Sequence, residues 1–251
     1  MFIFYLLSVE TSLVEKLFLF FLQYVALKAA LRINKALNEI QNTGAKQCTL
    51  ENFIAISTKF LYKREELPEK LPQILSNAEK QICCLGISLP ALATANRTLL
   101  VNKYESGCDI RILLTDPSKI RFAPAIMTNF IEKTSLSDLV NSMNFALPYK
   151  NEKSENGGTI EARLLPSFPG YGLQIIDPDA ECAKIKVEIY TTESDVNSRP
   201  NFFVVRETQN YWFRYFRADF DRLWKMSNEL TEEKLKEAEK LHNQLKSKRL
   251  F

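Results

Sequence analysis

The 251-residue chain is 46% hydrophobic and has a formal net charge of +3, so it can bury a full α/β core as one domain with terminal extensions. This nearly balanced charge neither requires nor excludes an acidic partner, and no block of lysine and arginine is typical of a nucleic-acid-binding arm. The composition therefore carries no clear nucleic-acid signal.

The cysteines are odd in number and lack CxxC spacing: Cys48, Cys83, Cys84, Cys108 and Cys182. Cys83 and Cys84 are adjacent in an apolar run, where a strand would point successive side chains to opposite faces. This pattern is typical of buried, reduced thiols and favours a cytoplasmic location. Because the chain has a single histidine and no recurring ligand pairs, we predict no metal site, and no motif predicts a cofactor.

Residues 1–41 are predicted to be a hydrophobic and amphipathic helical segment. The longest charge-free run, Leu17–Leu27, is short of the roughly 20 residues needed to cross a bilayer, and the basic start of a signal peptide is missing. Apolar residues all round this run imply burial on most sides. Three arrangements are open: packing on the domain, pairing with a second copy, or peripheral contact with a membrane surface through residues 1–40.

Residues 42–66 are predicted to be a helical connector. Asn42-Thr43-Gly44 breaks the first helical segment, and Thr49 is placed to cap a short helix over Leu50–Tyr62. Lys63–Glu66 is a charge run that we expect to be solvated.

The stretch Asn77–Pro117 predicts a βαβ unit. Two short apolar runs, Ile82–Leu85 and Ile110–Leu114, flank a helical stretch and are bounded by glycine and proline. Strands joined by a helix are parallel, and the carboxyl ends of parallel strands face any ligand crevice.

The second half of the chain is rich in predicted strands. Ser135–Asp138 has the form of a capping box for a helix that ends before Pro148, and the polar loop Asn151–Gly158 separates the two halves. Four strands follow: Ile160–Leu165, Leu173–Ile176, Ile185–Tyr190 and Phe202–Arg206. Ile185–Tyr190 alternates apolar and polar residues, which predicts a half-exposed strand.

Two helices are predicted at the end of the chain. Tyr211–Asn228 is strongly aromatic, and we interpret its stripe as core: Trp212, Tyr215 or Phe216, Phe220, Leu223 and Trp224. Thr231 is placed to cap the charged helix Glu232–Arg249, which has only a narrow apolar stripe. We therefore expect that helix to project or to pack loosely.

Three segments together resemble the phospholipase D-like superfamily. They are AEKQICCLGISL from Ala78, GCDIRILLTDP from Gly107, and FDRLW from Phe220. The resemblance covers residues 67–228 and implies an α/β domain in which helices flank both faces of a mixed sheet. Residues 1–66 and 229–251 are then helical N- and C-terminal extensions, and the resemblance also implies pairing of two such halves, as in a homodimer.

The chain departs from the catalytic members of that superfamily, whose nucleophile is the histidine of an HxK(x)4D motif. The single histidine is His242, in the charged terminal helix, and Lys184–Val205 contains none where the motif would fall. A serine or cysteine nucleophile normally needs a neighbouring base, which is usually histidine. We therefore predict no catalytic residues.

The leading interpretation is a catalytically inactive phospholipase D-like module that acts as a sensor or interaction domain and binds a phosphate-containing ligand. The residues we place near its crevice are Ser88, Asp116, Glu188, Tyr190, Arg199 and Arg206. Arginine binds phosphate through a planar fork, although Arg199 and Arg206 could instead form structural ion pairs, for example with Glu188 or Glu207.

Two other interpretations remain open. In one, the chain is a phosphodiesterase, nuclease or lipid hydrolase with a non-standard site, in which Asp177 and Asp179 bind a divalent ion or act as acid and base. The plainer interpretation of this Asp-Pro-Asp segment is a turn that caps its own backbone. In the other, residues 1–40 make the protein a scaffold at a membrane surface or in an oligomer.

Overall fold

The computed structural model describes residues 61–122, 136–190 and 196–248. The predictions for residues 1–41, for nearly all of the helix over Leu50–Tyr62 and for the cap at Ser135 lie outside these ranges. Tyr62, at the end of that predicted helix, is instead bridged to Asn201 by two backbone hydrogen bonds of 2.8 Å. Within the described ranges, no helix has the length and apolar character that crossing a membrane requires.

All six predicted strands are confirmed, and a short seventh strand follows them. Their bounds are β1 Gln81–Leu85, β2 Asp109–Thr115, β3 Thr159–Leu165, β4 Tyr171–Ile176, β5 Lys184–Ile189, β6 Asn201–Val205 and β7 Asn228–Glu229.

The strands form one mixed sheet in the order β6-β5-β4-β1-β2-β3-β7. β1, β2 and β3 are parallel, as the predicted βαβ unit requires, and β4 is antiparallel to β1. β5 is antiparallel to β4, and β6 is antiparallel to β5. The direction of β5 is therefore that of β1, β2 and β3, whereas β4 and β6 run the opposite way.

Helices lie against both faces of the sheet, as predicted. Their bounds are α1 Leu71–Ser76, α2 Pro90–Ala93, α3 Arg97–Glu105, α4 Leu136–Ala146, α5 Asn210–Met226 and α6 Glu232–Lys248. Short 3-10 turns lie at Arg64–Glu66, Pro117–Phe122, Leu147–Tyr149 and Val196–Ser198. The predicted helix between β1 and β2 is thus divided into α2 and α3.

The alternation of side chains along each strand separates two apolar cores. On the first face, Ile82, Ile112 and Ile160 pack with buried residues of α1 to α4 and of α6. On the second face, Leu85 and Leu173 pack with the buried face of α5.

The side chains that the aromatic helix α5 buries are only partly those that the sequence spacing predicted. Phe220 and Trp224 are buried in the second core together with Phe213, which lies a full seven-residue repeat before Phe220. Trp212 is 53% exposed, so its assignment to the core was wrong. Of the alternatives Tyr215 and Phe216, Phe216 packs against the second core, whereas Tyr215 is 49% exposed. Aromatic residues occupy both sides of the start of this helix, and spacing alone does not show which side meets the sheet.

The charged terminal helix α6 packs closely, contrary to expectation. Thr231 caps it as predicted, since the backbone amide of Lys234 donates to Thr231 Oγ1 over 3.3 Å. Ala238 and Leu241 are buried in the first core, as is Leu230 just before the helix. A small alanine lets α6 approach the neighbouring elements, so the narrow apolar stripe is sufficient for packing.

Candidate functional site

One edge of the sheet collects most of the predicted site residues. The carboxyl ends of β1, β2, β3 and β5 lie at this edge because these strands share one direction. Ser88 and Asp116 follow β1 and β2, Tyr190 follows β5, and Glu188 lies near the end of β5. Arg199 comes just before β6, which starts at the same edge.

The structure separates Arg206 from these residues. It follows the end of β6, which runs opposite to β5, and therefore lies at the other edge of the sheet. Its Nη1 donates to the carbonyl oxygens of Pro178, Asp179 and Ala180 over 3.3, 2.8 and 3.0 Å. Arg206 thus stabilises the turn after β4. Its position at this edge keeps it apart from the other predicted site residues.

Glu188 is the centre of a charge cluster, which we define as Arg64, Gln174, Lys186, Glu188 and Arg199. All of its members are buried except Arg64, whose side chain is 37% exposed. Arg199 Nη1 lies 2.8 Å from Glu188 Oε1, and Arg64 Nη2 lies 3.0 Å from Glu188 Oε2. Lys186 Nζ lies 3.8 Å from Glu188 Oε2 and 3.1 Å from Gln174 Oε1. The expected ion pair between Arg199 and Glu188 is therefore present, but it belongs to a larger group.

Lys186 and Glu188 correct the prediction that β5 is half-exposed. Each is only 4% exposed, although their alternation with Ile185 and Val187 suggested a solvent-facing side. The polar side of β5 is met by Arg64 and Arg199, which reach Glu188 from segments outside the strands. Gln174 and Asn201 stand directly opposite Lys186 and Glu188 in the neighbouring strands and share their face of the sheet.

The cluster shifts the pKa values of its own members. Burial, aided by the charge of Arg64 and opposed by Glu188, lowers the pKa of Lys186 from 10.5 to about 8. Burial would raise the pKa of Glu188, but Arg64, Lys186 and Arg199 outweigh it and hold that pKa below its ordinary value. Glu188 is therefore ionised, whereas Lys186 loses its proton at a lower pH than an ordinary lysine.

A buried acceptor lies beside the cluster. Asn201 Nδ2 donates to the Arg199 carbonyl oxygen over 2.8 Å, which fixes the orientation of the amide. Asn201 Oδ1 is left without a hydrogen-bond partner in the described part of the chain. A buried acceptor without a donor is costly, so this oxygen is available to a bound hydroxyl or amide group.

Tyr190 joins the cluster to the end of β1. The guanidinium carbon of Arg199 lies 5.1 Å from the centre of the Tyr190 ring, and the Tyr190 hydroxyl is hydrogen-bonded to the backbone of Ile87. Burial raises the pKa of this hydroxyl, which therefore stays protonated. Gly172 provides the space that the Tyr190 hydroxyl occupies, because a Cβ atom at position 172 would lie only 2.8 Å from the Tyr190 oxygen.

Ser88 and Asp116 lie at the same edge but make separate, structural contacts. The Ser88 carbonyl accepts a hydrogen bond of 2.5 Å from Ser142 Oγ. Asp116 Oδ1 accepts from the amide and the hydroxyl of Ser118 over 2.9 and 2.7 Å, and it pairs with Lys234 of α6 over 3.5 Å. These contacts organise the loops after β1 and β2, and none of them joins the charge cluster.

The acidic pair after β4 has a structural role as well. Asp177 accepts three backbone hydrogen bonds of 2.8 Å from Glu79, Lys80 and Gln81, where β1 begins. Asp179 Oδ1 pairs with Arg217 Nη1 of α5 over 2.7 Å, and this contact lowers the Asp179 pKa. A structural role is thus the one the geometry supports, but Asp177 caps amides at the start of β1 and not those of its own turn.

Three buried thiols and His242 are further reactive groups among the described residues. Burial raises the pKa values of the Cys83 and Cys108 thiols to about 12, and that of Cys84 also rises, so these thiols are protonated. His242 lies on α6 with its side chain partly exposed. No group of three or more histidine, cysteine, aspartate or glutamate side chains suited to a metal ion occurs among the described residues.

Arg64, Gln174 and Lys186 were missed by sequence reasoning. Arg64 was included in a solvated charge run, and Lys186 was assigned to the exposed side of β5. The strands predicted on either side of β5 were a usable signal, because they place β5 inside the sheet. When both faces of a sheet are covered by other elements, such a strand has no solvent-facing side, and burial of Lys186 could have been predicted.

Comparison with known proteins does not identify the chain. No family model matches it, and no curated protein does. One similar solved structure is TrmBL2, an archaeal chromatin protein described as showing a novel mode of DNA binding. The two share 13% identity and a TM-score of 0.40 over 88% of this chain and 71% of that one. A likeness at this level carries no argument about function.

Proposed function

We propose that the chain is a catalytically inactive, phospholipase D-like module that binds a small phosphate-containing ligand at the charge cluster. The observation that carries this proposal is the sharing of one buried carboxylate by several cations. The combined positive charge of Lys186 and Arg64 already exceeds the single negative charge of Glu188. Arg199 contacts the same carboxylate. A bound anion would compensate the excess positive charge around Glu188.

The chemistry of the cluster suits a phosphate group. Arginine offers a planar fork of donors and lysine a compact charge, and both are common ligands of phosphate oxygens. The unpartnered Asn201 Oδ1 adds an acceptor for a hydroxyl group on the same ligand. The cluster lies at the carboxyl end of β5, the side of an α/β sheet where ligands bind.

A sensor or interaction role follows from the missing catalytic groups. The HxK(x)4D histidine is absent, and the carboxylates that could have supported metal-dependent hydrolysis, Asp177 and Asp179, are engaged in structural contacts. A module of this kind binds its ligand without transforming it. Ligand binding then changes the arrangement of Arg64 and Arg199, which lie outside the strands.

The test is a comparison of two arginines at opposite ends of β6. The full-length protein is screened by native mass spectrometry for a ligand retained during purification, and by calorimetry against inorganic phosphate, sugar phosphates and nucleotides. We expect Arg199→Gln to weaken the binding of the best phosphate compound at least about tenfold, the scale of a lost charged hydrogen bond. Arg206→Gln, at the far edge, should leave that affinity within about twofold.

Arg64→Gln provides a second variant, since Arg64 is partly exposed and its substitution disturbs the fold less. It should also weaken binding while the thermal unfolding midpoint stays close to that of the wild type. A wild-type protein that binds none of these compounds, or an equal loss of affinity in the Arg199 and Arg206 variants, would overturn the proposal.

A further inference from the structure

Three aromatic side chains are exposed together at the start of α5. Tyr211 is 68% exposed, and Trp212 and Tyr215 are exposed by 53% and 49%. Their rings touch in sequence, with centroids 5.2 Å apart for Tyr211 and Trp212 and 5.8 Å apart for Trp212 and Tyr215, in edge-to-face geometry. Exposed aromatic groups of this kind mark interaction surfaces.

The exposed rings are held in place by partly buried ones. Tyr215 packs edge-to-face on Phe216 with centroids 5.5 Å apart, and Phe216 packs on Tyr171 at 5.6 Å. Tyr171 is hydrogen-bonded to Asp219, which also pairs with Arg222. The outer side of α5 therefore has a fixed shape, which lowers the entropy cost of binding.

The second half of the same helix carries a complementary set. Arg222, Lys225 and Met226 are exposed on the outer side of α5, and Met226 is 62% exposed. Cations bind the faces of aromatic rings, and methionine sulfur packs well against ring edges. The helix thus presents aromatic groups in its first half and their preferred partners in its second half.

The two sets are placed nearly symmetrically along the helix, with midpoints that differ by at most one residue. Tyr211 and Lys225 are equally far from Ala218, and Trp212 and Met226 are equally far from Asp219. Tyr215 and Arg222 are equally far from the point between Ala218 and Asp219. A twofold axis at this point would place Tyr215 at the height of Arg222 in a second, antiparallel helix. Tyr211 and Trp212 would lie within one residue, a rise of about 1.5 Å, of Lys225 and Met226.

The helical turn also places these residues on matching sides. At about 100° per residue, Tyr215 and Arg222 lie near the middle of the outer face. Tyr211 and Lys225 lie on one flank, and Trp212 and Met226 lie on the other. Ala218, a small residue near the centre, permits close approach of two helices.

We propose that α5 is a homodimer interface, formed by antiparallel packing of the outer face against the same face of a second copy. Tyr215 contacts Arg222 of the second copy, Tyr211 contacts Lys225, and Trp212 contacts Met226, and each contact occurs twice. Self-complementarity is what favours a second copy over an unrelated partner, because an isologous interface requires the same patch on both subunits. Tyrosine, tryptophan and arginine are also the residues that most often dominate interface energetics.

The proposal is tested by exchanging the two central residues. Sedimentation velocity of the full-length protein over a range of concentrations should show a monomer–dimer equilibrium. Tyr215→Arg places two arginines opposite each other at both symmetry-related contacts, and it should weaken dimerisation at least about tenfold. The double variant Y215R/R222Y restores an aromatic–cation pair in reverse order and should recover most of the affinity.

Leu61→Arg is the control, since it adds an arginine at another exposed hydrophobic position, outside α5. It should leave the dimer unchanged, and circular dichroism should show the same helix content in every variant. A wild-type protein that stays monomeric, whether or not it binds single-stranded nucleic acid or lipid vesicles, would overturn the proposal. So would a dimer that survives Y215R, or a double variant no better than Y215R.

Discussion

Lys186 is a buried cation that shares its carboxylate partner with two arginines. Its folded-state pKa of about 8 is lower than its ordinary value of 10.5, so between these values the unfolded chain binds more protons than the folded one. The contribution of Lys186 to the free energy of unfolding therefore increases as pH rises from about 8 to 10.5. This gain is roughly 3 kcal/mol when the full shift is counted.

Lys186→Met removes this pH dependence. We expect the free energy of unfolding of the variant, relative to the wild type, to be greatest below pH 8 and to decline as pH rises towards 10.5. Urea unfolding of both proteins at several pH values measures the difference, in which the titrations common to both cancel. A constant difference across this range would contradict the assignment.

Asp177 illustrates a carboxylate whose role is structural. Asp177→Ala removes the acceptor of three backbone hydrogen bonds and should lower the free energy of unfolding by about 2 kcal/mol or more. Asp179→Ala removes only a largely exposed ion pair and should cost less than about 1 kcal/mol. Asp177→Asn keeps one acceptor oxygen and should fall between the two in chemical denaturation. If EDTA reproduced the loss seen in Asp177→Ala, the metal-site hypothesis would return.

At the scale of elements, α5 and α6 show how one helix can have two different faces. α5 buries Phe213, Phe220 and Trp224 against the sheet and exposes a second aromatic group to the other side. α6 is highly charged, yet Ala238 and Leu241 place it firmly in the first core. Overall polarity is therefore a poor guide to packing when a few small or apolar residues share one side.

Close packing of α6 can be measured with Ala238→Leu. Ala238 is fully buried, so the larger side chain has no space and should lower the free energy of unfolding by about 1–3 kcal/mol. Lys236→Leu, at a residue whose side chain is 75% exposed, makes a comparable change on the outer side and should alter stability by less than about 0.5 kcal/mol. Equal effects of the two substitutions would mean that α6 packs loosely.

In the whole molecule, the antiparallel strand β4 decides where the charge cluster lies. It is inserted between β1 and β5, so the apolar first face of β1, β2 and β3 continues into a polar region at Gln174, Lys186 and Glu188. Arg64 and Arg199 reach that region from segments outside the strands. One sheet thereby holds an apolar core at one side and a buried charged region at the other.

The strands and most helices of the described regions could be predicted from sequence because their signals are local. Apolar runs bounded by glycine and proline located β1 to β6, and a single threonine located the start of α6. The mixed sheet with helices on both faces was what the resemblance to the phospholipase D-like superfamily implied. The predicted crevice group contained Glu188, Tyr190 and Arg199 and also Ser88, Asp116 and Arg206. The structure brings Glu188, Tyr190 and Arg199 into contact. Arg206, however, lies at the other edge because β6 runs opposite to β5.

The rest depended on contacts between residues far apart in the chain. Burial of Lys186 requires β4 and β6 on either side of β5, and the pairing of Arg64 with Glu188 joins residues 124 positions apart. The alternation within β5 is the same whether one side meets water or other residues, so only the fold could decide it. By itself, then, the sequence determined which segments become strands and helices, while tertiary packing determined which of their faces are core, site or surface.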